Sequence, residues 1–121
     1  MRYVCLIYTD PKTVFDQSPT SNAVLAEVGP HNDQLRASGH FVTAEPLVLP
    51  RDAVTVRVRD GRMSTTDGPF METKEMLGGF VVIEAHDLNE AVQVAGDMPF
   101  ARLGSIEVRP VVDFSKPRPK L

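Results

Sequence analysis

The residues best suited to chemistry are gathered in one run, Asp67-Gly68-Pro69-Phe70-Met71-Glu72-Thr73-Lys74-Glu75. It sets three carboxylates and an ammonium within nine consecutive residues, between two strand-like segments. A carboxylate at Asp67 can serve as general acid or base, and Lys74 or Arg109 can orient an anionic group beside it. Asp-Gly-Pro is equally good turn chemistry. Glycine accepts positive φ, proline fixes φ, and an Asp side chain can bond nearby amides. Glu72, Lys74 and Glu75 fit a pocket mouth, a solvated loop or an ion-pair network. Arg109 fits an anion contact or an ion pair with Glu107 on its own strand face.

His31 stands three residues after Val28 and four before Leu35, at the border of a buried helix face. It reads as a structural histidine or as a ligand contact. His31, His40 and His86 form no i, i+4 pair, so no metal site is expected. No Gly-rich phosphate loop and no nucleophile elbow occurs, and no cofactor is expected. Cys5 lies in an apolar stretch and reads as a buried, inert thiol.

Positioning these groups falls to a regular series of elements. Residues 2–9 are apolar at nearly every place, as in a central strand. Residues 11–20 read as a polar connection. A helical pattern runs from Ser21 to Gly39, its C-cap, and Gly29-Pro30 predicts a kink or a split into two helices. Residues 40–49 are strand-like, with Pro46 marking an edge. Val54, Val56 and Val58 alternate with polar residues, and Asp60-Gly61 is a type I′ turn signal. A two-residue loop sets Val58 opposite Met63, Val56 opposite Thr65 and Val54 opposite Asp67, which places Asp67 on the valine face. Residues 78–85 form a further apolar strand. Asp87 and Glu90 make a capping box for a helix that buries Leu88, Ala91, Val92 and Ala95. Residues 105–114 form a last strand, with Pro110 at a sheet edge.

The order predicts an α+β fold, the ferredoxin-like βαββαβ plan with an inserted β-hairpin: four antiparallel strands under two helices. Residues 1–114 make one domain and 115–121 a Pro-rich, basic, extended tail. Strands 2–9 and 80–85 are apolar at both alternations, so the sheet face without helices is apolar too. A second copy covers it most simply, which predicts a homodimer packed sheet to sheet.

Composition narrows the functions. The chain has 121 residues and a net charge of -3, which argues against nucleic acid as a partner. No apolar run reaches the roughly 18 residues of a membrane span. The N-terminus lacks a signal-peptide pattern and one cysteine excludes an internal disulfide, so the cytoplasm is the expected compartment.

Met1 to Tyr8, Leu35-Arg36-Ala37-Ser38-Gly39-His40, Asp67-Gly68-Pro69-Phe70, Glu72-Thr73-Lys74-Glu75, Leu77-Gly78-Gly79-Phe80 and Glu107-Val108-Arg109-Pro110 occur in that order. In these the chain resembles the DGPF-domain branch of the YCII-related proteins, from Met1 to near Val112. The resemblance implies a ferredoxin-like fold that dimerises into an α+β barrel. Some of that family use a His–Asp pair, and one member is a dehydrochlorinase. This chain has Val28 and Met98 at those two places, with His31 and Asp97 close by. Leu103 stands where many close relatives have histidine before the last strand. Family members adjoin sigma factors, which names a partner class.

Two functions follow. One is a small homodimeric enzyme with acid/base chemistry at Asp67 on a small-molecule ligand, bound with Glu72, Lys74, Glu75, Arg109 and His31. The other is a non-catalytic module that binds a ligand or a protein such as a sigma factor.

Overall fold

The computed structural model describes residues 1–118 and Lys120. Its order is β1 (Arg2–Thr9), α1 (Pro11–Val14), α2 (Pro19–Ser38), β2 (Phe41–Pro46), β3 (Val54–Arg59), β4 (Arg62–Asp67), β5 (Met76–Glu84), α3 (Leu88–Gly96) and β6 (Ser105–Pro110). Short 3-10 turns lie at Pro50–Asp52 and Pro99–Arg102. Four strands form one antiparallel sheet in the order β2-β5-β1-β6, and β3-β4 is a separate two-stranded sheet. This is the ferredoxin-like βαββαβ plan with a hairpin inserted between its second and third strands.

Alternation along β1 and β5 divides the main sheet. Tyr3, Cys5, Ile7, Val81 and Ile83 face the helices and are buried with Leu35, Ala91, Ala95 and Met98. Each large side chain buried there contributes roughly 1.5–3 kcal/mol. Burial pushes the Cys5 thiol up to about 11, which keeps it protonated and inert. On the other face Val4, Leu6, Tyr8, Phe80 and Val82 are half-buried, and no helix among the described residues lies over them. The ion pairs Arg2–Glu84 (2.9 Å) and Arg109–Glu107 (3.7 Å) flank that apolar stripe.

Local chemistry explains where the elements begin and end. The Ser21 amide donates to Ser18 Oγ at 3.1 Å and Pro19 opens α2, a cap worth about 1 kcal/mol. Gly39 closes α2 at φ 84°, where its amide and that of His40 bond the last carbonyls. Glu90 N donates to Asp87 Oδ1 at 2.9 Å to start α3. Asp60 and Gly61, at φ 52° and 72°, make the hairpin turn. The pairs Val58–Met63, Val56–Thr65 and Val54–Asp67 have the register expected from a two-residue loop.

Four expectations need correction. The split at Gly29-Pro30 does not occur: α2 is one continuous helix of 20 residues through Pro30. Proline removes its own amide bond and crowds the carbonyl four residues back, but Ser21, Val24 and Leu35 anchor the helix on both sides of it. Residues 11–14 form a helical turn in place of a bare connection, because Asp10 caps it through the Lys12 amide at 3.0 Å. In α3 only Ala91 and Ala95 are buried, and Leu88 and Val92 face outward, since Met98 and Val94 fill the core beside them. Strand β6 ends at Pro110. The tail turns at residues 114–116, where Ser115 bonds Asp113, and the rest of its predicted course includes residues 119 and 121, outside the described residues. No helix among the described residues is long and apolar enough to cross a membrane.

Candidate functional site

A cavity of about 440 Å³ lies between α2 and the sheet, a size typical of small-molecule sites. One wall is α2, whose Leu25, Val28, His31 and Asn32 share a face at helical spacing. The opposite wall is the sheet where it carries its smallest residues, Ala44, Gly78 and Gly79. Side chains are missing there for a reason: a Cβ on Gly79 would lie 3.0 Å from the Glu45 carbonyl oxygen. The same thinning of the sheet leaves space under the helix. Irregular pairing at Ile7/Tyr8 bends β1 beside it. Helix α1, the segment 46–50 and Met98-Pro99-Phe100 close the ends.

The lining is mainly apolar, with Thr9, His31, Asn32 and Glu45 as its polar members. Desolvation in this setting lowers the His31 pKa from its ordinary 6.5, and the nearby Asp97 charge works against that shift. The imidazole is therefore neutral near pH 7, able to accept a proton inside an apolar space. An ion pair from Arg102 to Glu27 ties the floor of the cavity to α2.

The sequence-predicted residues are dispersed. His31 is inside the cavity. Asp67 and Glu72 are exposed and come together in a shallower, more open depression of about 520 Å³, with Arg51 and Thr73. That depression shares Pro11, Leu49, Pro50 and Met76 with the cavity, so the two adjoin. Glu75 accepts a hydrogen bond from Ser105 Oγ at 2.8 Å. Lys74 is exposed and lines neither space. Arg109 pairs with Glu107 on the helix-free face of the sheet, away from the cavity. Thr9, Asn32 and Glu45 were missed in sequence. Only Asn32 carried a signal there, its spacing from Val28 and Leu25 on the α2 face.

A second polar group lies on the surface. Ser38 Oγ is 2.6 Å from His40 Nδ1, and His40 Nε2 is 2.8 Å from Glu90 Oε1. These are the residue types of a nucleophilic relay. Their place is the carbonyl end of α2, where the helix field disfavours a developing oxyanion. Ser38 Oγ also donates to the Leu35 carbonyl at 3.1 Å. The group fastens the end of α2 to α3. Among the described residues no set of three His, Cys, Asp or Glu side chains converges to hold a metal ion.

The YCII-related domain family profile matches residues 1–115. An uncharacterized protein of Rhizobium meliloti (strain 1021) is 33% identical over 114 residues, 92% of each chain. Among solved structures, 5-chloro-2-hydroxyhydroquinone dehydrochlorinase (TftG) from Burkholderia phenoliruptrix AC1100, in complex with 2,5-dihydroxybenzoquinone, is similar with a TM-score of 0.55. That likeness has 16% identity and covers 93% of this chain and 94% of the other. Identity that low speaks for the fold alone.

Proposed function

This chain belongs to the YCII-related domain family, and from that premise we propose that it binds a small, mainly apolar metabolite under α2 and moves a proton on it. The carrying observation is His31, a desolvated imidazole in a cavity of about 440 Å³. Neutral His31 takes a proton from a weakly acidic O–H or C–H of the ligand, and the Asp97 charge favours the imidazolium that forms. A positioned base of this kind supplies about 10²- to 10⁴-fold in rate. Asn32 and Thr9 hold the ligand's polar substituents. Asp67 and Glu72, on the adjoining rim, meet whatever polar end projects from the cavity, so His31 takes the acid/base role that sequence gave to Asp67. The dehydrochlorination named for TftG is an analogy of fold that fits a base in an apolar pocket.

The same proposal includes a homodimer. Its support is the apolar stripe on the helix-free sheet face, a patch of a kind that monomers seldom leave bare.

Calorimetric titration with 2,5-dihydroxybenzoquinone and hydroquinone tests the reading on wild type, His31→Gln and the cavity-filling Val28→Trp. Wild type and His31→Gln should bind, Val28→Trp should not, and with 5-chloro-2-hydroxyhydroquinone added only wild type should turn it over, releasing chloride. Binding that survives Val28→Trp puts the ligand elsewhere. Equal binding by wild type and His31→Gln, with turnover by neither, leaves a ligand-binding module.

A further inference from the structure

We propose that the β3–β4 hairpin is an arm that grips the body of a second copy of this chain. Its strands form their own sheet, separate from the main one. At its base the Gly68 amide donates to the Ala53 carbonyl at 2.7 Å, and Thr55 Oγ1 donates to the Gly68 carbonyl at 2.9 Å. Arg57 lies 5.5 Å from the Phe70 ring centroid on that same Thr55 face. The opposite face is bare. Val54, Val56 and Val58 are 57–59% exposed and Met63 is 71% exposed. A two-stranded hairpin is marginal in water, and β-branched residues favour a strand only when their face is packed.

Two observations name a second copy as the occupant. The first is length. Six residues at about 3.3 Å each give an arm of about 20 Å, the width of a four-stranded sheet at about 4.8 Å per strand. The second is area. The helix-free face, about 19 by 20 Å from the same spacings, offers about 400 Å² against the roughly 800 Å² per partner of a stable interface. An arm two strands wide brings about 200 Å², and the patch it covers on the other body brings as much again. With two arms exchanged, each chain reaches the standard size.

The test starts with sedimentation of wild type and Val56→Asp/Val58→Asp at micromolar concentration. Both positions are exposed, so the variant should keep wild-type circular dichroism. Its dimer should be weaker by about 100-fold or more. A nitroxide on Ser64→Cys, on the arm's other face, is then mixed with isotope-labelled wild type. Broadened body amides in the unmodified chain support the exchange. A dimer that ignores both aspartates and shows no interchain broadening overturns the arm and leaves the sheet-to-sheet dimer standing. A monomeric wild type overturns the second copy as occupant and leaves a different protein partner for the arm.

Discussion

His40 and Glu90, 50 residues apart in sequence, are joined by a hydrogen bond of 2.8 Å between Nε2 and Oε1. It ties the residue that follows the α2 cap to the first turn of α3. Glu90 would complete its own capping box by reaching back toward the Asp87 amide. Its carboxylate is instead engaged by His40 and by the backbone at His86. Those partners hold Glu90 below its usual 4.5, the His40 hydrogen bond most of all. The unfolded chain thus binds more protons in acid than the folded one. The stabilisation is complete above 4.5 and drains away as the pH falls through the lower folded value. Glu90→Gln should lower the melting temperature at neutral pH and flatten the loss in acid. Adding His40→Gln should cost less than its single effect, because both substitutions break one bond. Calorimetric melting from neutral pH to pH 3 checks both.

His31 predicts a pH profile. Its pKa lies below 6.5, so the acid limb of kcat/KM should have its midpoint below 6.5. Asp97 is what holds the value up, so Asp97→Asn should move the limb lower still. The folded state also binds fewer protons than the unfolded one here. Stability should be full above 6.5 and decline as the pH falls below it. A limb unmoved by Asp97→Asn would separate the two residues electrostatically.

Two glycines predict opposite signs. A Cβ on Gly104 would sit 2.1 Å from the Tyr8 carbonyl oxygen and 3.0 Å from Thr9 Cγ2. Backbone cannot step aside, so β6 must move on β1. Gly104→Ala should cost about 1–3 kcal/mol. Gly29 lies within α2 with nothing within 4 Å of a built Cβ. Gly29→Ala should therefore gain about 0.5–1 kcal/mol. Urea unfolding of both variants reads the two signs directly.

Local signals made the frame legible. Alternation set the strand faces, and Asp60-Gly61 fixed the hairpin register down to Val54 opposite Asp67. The cavity was harder to see because it arises from a coincidence in space. Gly78 and Gly79 thin β5 where α2 presents Val28 and His31, and the two stretches are about fifty residues apart in sequence. The Asp67 run drew attention by its density of charge, yet charge density marks solvent as readily as a site. His31 was legible as the border of a helix face, and the fold decided what that border meets. Pro30 does not split α2, because whether a proline ends a helix depends on anchors at both ends, here Ser21 and Leu35, which the local sequence does not weigh.

Asp67 separates turn from rim. Its side chain makes no hydrogen bond or ion pair with the described residues, while the turn itself is held by the Gly68 amide on Ala53. The Asp67→Asn substitution should then change unfolding free energy by less than about 0.5 kcal/mol. If the rim touches the polar end of a cavity ligand, KM should rise several-fold with kcat unchanged, because the contact is the same in ground and transition states. A kcat loss as large as that of His31→Gln would return the acid/base role to Asp67. An unfolding cost well above 1 kcal/mol would make the carboxylate a turn residue after all, since an exposed group without partners has no other route to such a cost.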